Sequence, residues 1–245
     1  MYGFQAFVFA AIISGNAIGD DPKPVVQKPR YETKKDHDPD GIGKFYKGRE
    51  IAWIMGHQAA GWLERPEREK EEDPAKLIKA LNVKPGMAIA DVGAGSGYHT
   101  FRLSPLVGEK GKIVAVDIQQ QMLDLMKKKA EKLKVTNVEL VKGTEADPKL
   151  TKDSLDLILL VDVYHEFSHP YEMAAKMVEA LKPGGRIAFV EFRLEDDAVP
   201  IKLVHKMSER QVILEMAEFA DMEHDKTIGT LPWQHIILFK KKAAK

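Results

Sequence analysis

The run Ala88-Ile89-Ala90-Asp91-Val92-Gly93-Ala94-Gly95-Ser96-Gly97-Tyr98 constrains the fold of this chain more than any other stretch. A short apolar run ends in an acid, and three glycines at alternate positions follow. The apolar run reads as a buried parallel strand. The glycines read as a turn whose backbone must come close to something. Phe101, Leu103 and Leu106 then begin a helical pattern. Strand, glycine turn and helix together form a cradle for a small molecule at the carboxyl end of the strand and the start of the helix.

The flanking sequence repeats this alternation. Asp73-Pro74 starts a helix with a cap and a first-turn proline; Leu77, Ile78 and Leu81 give it a buried stripe, and Lys84-Pro85-Gly86 stops it. Lys112 to Asp117 is a second buried strand ending in an acid. Met122, Leu125, Met126, Ala130 and Leu133 mark an amphipathic helix, and Asn137 to Lys142 a third strand. Leu155 to Val161 is a fourth strand, and the following helix stops at Lys182-Pro183-Gly184-Gly185 before a fifth over Arg186 to Phe192. Ser208-Glu209-Arg210-Gln211 is a capping box, and two last strands lie near 223–229 and 234–239. This order predicts an α/β fold: a Rossmann-like, doubly wound seven-stranded sheet, mostly parallel with an antiparallel last strand, plus an N-terminal helical extension.

The first 73 residues divide differently. Phe4 to Ile13 is apolar but too short to span a membrane, and Ala17-Ile18-Gly19 resembles a small-residue cleavage site, so residues 1–19 are expected to be a signal peptide. No Lys or Arg precedes the apolar run. Residues 20–44 hold Pro22, Pro24, Pro29 and Pro39 and are expected to be a poorly ordered linker. Within them, Asp36-His37-Asp38-Pro39-Asp40-Gly41 copies half of a calcium loop, but the twelfth position is Lys47 rather than Glu, so it reads as an acidic turn. Ile51, Ile54 and Met55 suggest a helix within a lid or pocket wall over 45–73, and Glu67 to Glu72 a solvated helix face. The main domain runs over 74–242.

Two acids flank the glycines. Asp117 lies 20 residues after Gly97, where an acid receives the ribose hydroxyls of an adenosine cofactor. A dinucleotide motif requires a glycine or alanine where this chain has Tyr98, and Asp91 would repel a pyrophosphate while suiting a cationic amino group. Asp91-Val92-Gly93-Ala94-Gly95-Ser96-Gly97 resembles the first motif of class I S-adenosylmethionine-dependent methyltransferases, small-molecule type, similar to quinone-biosynthesis C-methyltransferases. The resemblance extends from about 73 to 239. It implies S-adenosylmethionine as cofactor, held by Asp91, Gly93, Ala94, Gly95 and Gly97, by Asp117 and Ile118, by Thr144 and Glu145 at the adenine, and by Asp162. Many members carry Asp where this chain has Thr144, which makes Glu145 the substitute.

The edge Leu160-Val161-Asp162-Val163-Tyr164-His165-Glu166 faces both methyl group and acceptor in that family. His165 suits a general base because its ordinary pKa lies near neutrality; the alternative is a pocket-lining histidine. Tyr164 is either a second catalytic group or a surface packed on the cofactor. His169, before Pro170, is expected to cap the next helix. No metal site is assigned. His205 and Lys206, in the segment after the fifth strand, are candidates to meet a polar or anionic acceptor. Formal net charge is zero, with 37 basic and 37 acidic residues, and the Asn/Asp-Pro-Pro-Tyr/Phe motif of DNA amino-methylating enzymes is absent; both argue against a nucleic-acid partner. With no cysteine, disulfides and a cysteine nucleophile are excluded. The partner expected is a small-molecule methyl acceptor attacked at O, N or C. An NAD-dependent oxidoreductase and a non-catalytic exported cofactor-binding protein are the alternatives.

Overall fold

A computed structural model describes residues 29–243. A three-stranded antiparallel sheet comes first: β1 (Tyr31–Thr33), β2 (Gly41–Tyr46) and β3 (Arg49–Ala52). Two short helices follow, α1 (Ala60–Leu63) and α2 (Arg68–Glu71), then α3 (Pro74–Leu81). The main domain continues as β4 (Ala88–Val92), α4 (Thr100–Val107), β5 (Lys112–Asp117), α5 (Gln120–Leu133), β6 (Val138–Lys142), β7 (Leu155–Val161), α6 (Pro170–Ala180), β8 (Leu181–Phe192), α7 (Glu209–Met216), β9 (Met222–Ile228) and β10 (Gln234–Lys241).

The seven-stranded sheet has the order β6-β5-β4-β7-β8-β10-β9. β4 to β8 pair in parallel, and β10 runs antiparallel to both β8 and β9. The antiparallel strand therefore lies inside the edge, and β9 forms the edge itself. β4 and β7, both buried, sit centrally, where their apolar residues face two cores. Val92, Val116, Ile158 and Phe189 serve one face, and Ile89, Ile113, Leu157 and Val190 the other. The helix signals act as expected: Asp73 accepts from the Lys76 amide at 3.0 Å, and Ser208 from the Gln211 amide at 3.1 Å. His169 occupies the N-cap position of α6, but its side chain caps nothing; Pro170 defines that helix start.

The N-terminal region departs from expectation. The predicted signal peptide over 1–19, like residues 20–28, lies outside the described residues. From 29 onward the expected linker is ordered, because β1 and β2 pair over Tyr31–Thr33 and Lys44–Tyr46. The acidic motif forms the connecting turn, with the Asp40 amide donating to Asp38 Oδ1 at 2.8 Å. The segment expected to be a helix around Ile51 begins as β3. Lys47 and Gly48 both have positive φ (48° and 88°), as a two-residue hairpin turn requires, and this turn overrides the helix-like spacing of Ile51, Ile54 and Met55. Arg49 then anchors the hairpin: its guanidinium bonds Glu215 on α7 at 2.8 and 3.2 Å, both side chains being buried. The charge run 67–72 is not a wholly solvated face either. Arg68 and Glu72 are buried and paired at 2.5 Å.

Candidate active site

Above the carboxyl ends of β4, β5 and β7 lies a cavity of about 400 Å³. Its floor is the glycine turn. Gly93 has φ +75°, and a Cβ there would lie 2.3 Å from Val163 Cγ2; at Gly95 (φ +55°) it would lie 2.6 Å from Leu63 Cδ1. The left-handed backbone favours glycine at both positions, and at Gly93 the β-branched Val163 leaves no room for a Cβ. Asp117, at the end of β5, takes the Gly95 amide at 2.9 Å on Oδ2 and the Gln119 amide at 2.8 Å on Oδ1. Burial raises its pKa, and those amides work against the rise. The carboxylate is thus fixed at the cavity wall, with lone pairs left for hydroxyl donors.

Gly93, Gly95, Asp117, Ile118, Thr144, Glu145, Asp162 and His165 all line the cavity. Asp162 has φ +49°; its Oδ2 accepts from Gln234 Nε2 at 2.6 Å, while Oδ1 is buried without a partner. Burial raises its pKa well above the ordinary value, and the Glu72 and Glu191 charges add to the rise.

Asp91, Ala94, Gly97 and Tyr164 are not on the wall. Asp91 is buried behind the turn and accepts the Thr100 hydroxyl at 2.6 Å, which fixes the start of α4 to the end of β4. Burial pushes its pKa up to about 6, with the Thr100 bond and the Arg68 charge opposing. Tyr164 does not pack on the cavity. Its ring meets Phe189 and Phe167 edge-on at 4.8 and 5.6 Å in the core. Lys206 also turns away, its amine donating to the Asp196 carbonyl at 3.0 Å.

The far end of the cavity is polar. His165 Nδ1 lies 2.7 Å from Glu191 Oε2, and its Nε2 is 3.2 Å from His205 Nδ1 and 3.9 Å from Glu166 Oε1. Burial opposes protonation of His165, and the Glu191 carboxylate more than offsets it, so the net shift is upward. Burial brings Glu166 up to about 7, with His165 and the Met55 amide opposing. Burial and the His165 charge lower His205.

Ile54, Met55, Trp62 and Leu63 form the wall opposite the sheet. It is tied down at several points. The Met55 amide donates to Glu166 Oε1 at 3.2 Å, Gln119 Nε2 to the Met55 carbonyl at 2.9 Å, and Ser96 Oγ to Glu64 Oε1 at 2.6 Å. Glu191, Arg68, Gln119 and Gln234 are site residues that sequence reasoning missed. A buried strand reading Ala188-Phe189-Val190-Glu191-Phe192 does hold a signal for Glu191, since an acid inside an apolar strand requires a partner.

A family model described as a methyltransferase domain matches residues 83–241, the part of the chain that builds this sheet and cavity. The chain belongs to the methyltransferase-domain family. Among curated members, demethylmenaquinone methyltransferase of Bacillus cereus is 29% identical over 116 residues, 47% of this chain and 49% of that protein. The chain spans about half the length of the curated relatives it matches. Among solved structures, an S-adenosylmethionine-dependent methyltransferase from Aquifex aeolicus is 27% identical with a TM-score of 0.72, covering 77% of this chain and 100% of its own. A putative type 11 methyltransferase from Sulfolobus solfataricus shares the fold at 20% identity and a TM-score of 0.57, over 71% of this chain and 95% of that one. The seven-stranded sheet is the Rossmann-like sheet of class I methyltransferases, and the family's cofactor is S-adenosylmethionine. Within the family domain, two features fit that cofactor: the side-chain-free cradle at Gly93 and Gly95, and the unpartnered Asp162 oxygen. Among the described residues no helix is long and apolar enough to cross a membrane.

Proposed function

We propose that the protein transfers the methyl group of S-adenosylmethionine to a small-molecule acceptor held between the glycine turn and the His165–His205 end of the cavity. The observation that carries this reading is Asp117, whose carboxylate is locked onto the Gly95 amide at the cavity wall with capacity left for two ribose hydroxyls. Asp162 Oδ1 would take the cofactor's ammonium group, a buried acceptor with no partner of its own. Asp91 would act from behind by holding the turn. Thr144 and Glu145 would meet the adenine edge. When bound, the cofactor supplies an activated methyl on a good leaving group. The residues then have to position the acceptor, exclude water and manage its proton.

The wall of Met55, Leu63, Phe167 and Met173 supplies apolar surface for the acceptor, and the His165–His205 end supplies polar atoms to meet its reacting group. The similarity to demethylmenaquinone methyltransferase supports a quinone-like acceptor. Zero net charge supports a small molecule over a nucleic acid. The NAD-dependent alternative has little support, since the buried Tyr98 ring fills the third-glycine position of the dinucleotide turn. Calorimetric titration of the full chain with S-adenosylmethionine and with NAD tests the reading. Saturable binding of S-adenosylmethionine, weakened at least about tenfold by Asp117→Ala, is expected, since about 1.4 kcal/mol is tenfold. Absence of that binding sinks the proposal. Export is a further part of it, supported by Phe4–Ile13 and Ala17-Ile18-Gly19. Mass spectrometry of the mature protein should find Asp20 as the first residue, and an intact N-terminus from exporting cells would refute this part.

A further inference from the structure

The polar end of the cavity contains a set of donors that methyl-donor binding does not use. We propose that His165 Nε2, Glu166 Oε1 and His205 Nδ1 form a two-histidine, one-carboxylate site for a divalent transition-metal ion of the zinc type, with an open position toward the cavity for a hydroxyl-bearing acceptor. This rests on the methyltransferase reading and names how its acceptor is held. The three atoms lie within 4.8 Å of one another, the one such cluster among the described residues.

Four observations support the site. Glu191, fully buried and fixed by the Tyr164 amide at 2.9 Å, accepts from His165 Nδ1 and so turns the Nε2 lone pair toward the cavity. A carboxylate behind a histidine is the usual orienting device at protein metal sites. The two imidazole nitrogens are 3.2 Å apart, close to the separation of about 3.3 Å between tetrahedral ligands with metal–nitrogen bonds of about 2.0–2.1 Å. Glu166 Oε1 completes the set, 3.9 Å from His165 Nε2 and within 4.8 Å of the His205 nitrogen. Finally, this end is acidic. Glu166 and Glu191 both face His165, while the nearby cations Arg49, Arg68 and Lys202 are already paired with Glu215, Glu72 and Asp40. A dication meets that excess of carboxylates.

The chemistry balances without a redox partner. A coordinated acceptor hydroxyl releases its proton to water more readily. The oxygen's lone pair would form the new C–O bond as the C–S bond breaks, and the C–S bonding pair would go to sulfur, which leaves as a neutral thioether.

The test uses the full chain, stripped with chelator and titrated with Co²⁺ as a spectroscopic probe. One Co²⁺ per chain with visible ligand-field bands is expected. His205→Ala and Glu166→Gln should each weaken Co²⁺ binding by at least about tenfold, and Glu191→Gln by about 10–100-fold. His224→Ala, on β9 away from the cavity, should leave it unchanged and so controls for surface histidines. Thermal melts confirm that each variant is folded, and the buried His165 is left intact for that reason. No stoichiometric Co²⁺ binding, or equal binding by wild type and His205→Ala, overturns the proposal; the two histidines would then share a proton as a hydrogen-bonded pair. S-adenosylmethionine titrations run in parallel separate the two claims. Failure there sinks the transferase reading and leaves the Co²⁺ result standing.

Discussion

Glu191→Gln tests whether the fold sets the protonation pattern of His165. Glu191 is 0% exposed and accepts two bonds on separate oxygens, from the Tyr164 amide at 2.9 Å and from His165 Nδ1 at 2.7 Å. Glutamine is almost the same size but has one acceptor oxygen and one donor group. If its oxygen stays on Tyr164, its NH2 faces His165 Nδ1, and the ring proton must move to Nε2. The variant therefore exchanges a lone pair at the cavity for an N–H. Losing one charge-assisted hydrogen bond costs about 1.5–3 kcal/mol, roughly 10–150-fold in an equilibrium. The pH dependence has a definite sign. The folded pKa of His165 is raised, with Glu191 outweighing the opposing effect of burial. Its contribution is therefore full below the unfolded value of about 6.5 and is lost as pH rises through the folded value. The destabilisation by Glu191→Gln should then be larger near about pH 5.5 than near about pH 9. Urea denaturation of the chelator-stripped chain at both pH values measures it, and ¹⁵N spectra of labelled histidine in the same metal-free protein report the tautomer. A variant that keeps the Nδ1–H tautomer and loses equal stability at both pH values would refute the reasoning.

Three further outcomes are expected. Glu215→Ala strands the buried Arg49 charge and should cost about 3–5 kcal/mol in chemical denaturation, while Arg49→Met with Glu215→Leu should recover most of it; an unchanged midpoint for Glu215→Ala would show that the N-terminal hairpin does not depend on this pair. Gly93→Ala forces a φ of +75° on a residue with a Cβ, at about 1–2 kcal/mol, and drives that Cβ into Val163 on the cavity wall, so cofactor affinity in a titration should drop at least about tenfold. Asp91 is raised to about 6 by burial, so its folded form holds a proton that the unfolded chain releases, and stability falls as pH rises through that range. Asp91→Asn keeps an oxygen for Thr100 and should raise the melting temperature more at about pH 8 than at about pH 4.5; an equal rise at both would contradict the assignment.

The seven-stranded domain was legible in the chain because its signals are local. Buried strands read as apolar runs, helices carry their caps, and the glycine turn between Asp91 and Thr100 needs residues with no Cβ. The same motif indicated the family and placed Asp117 beside Gly95, since strand, turn and strand end are adjacent units of one repeating pattern. Local pattern failed where one short turn overrode it, as at Lys47–Gly48, or where a polar residue's purpose lay far along the chain. Arg49 meets Glu215 across 166 residues, and Gln234 meets Asp162 across 72. Asp91 looked like a ligand contact until packing placed its carboxylate against Thr100, behind the wall rather than on it. The sequence by itself determined the sheet, the cradle and the cofactor class. Only the tertiary structure decided which acids face the cavity and that His165, Glu166, Glu191 and His205 converge at its far end. Periodicity records which face of an element is buried, but the partner found there depends on how distant elements pack.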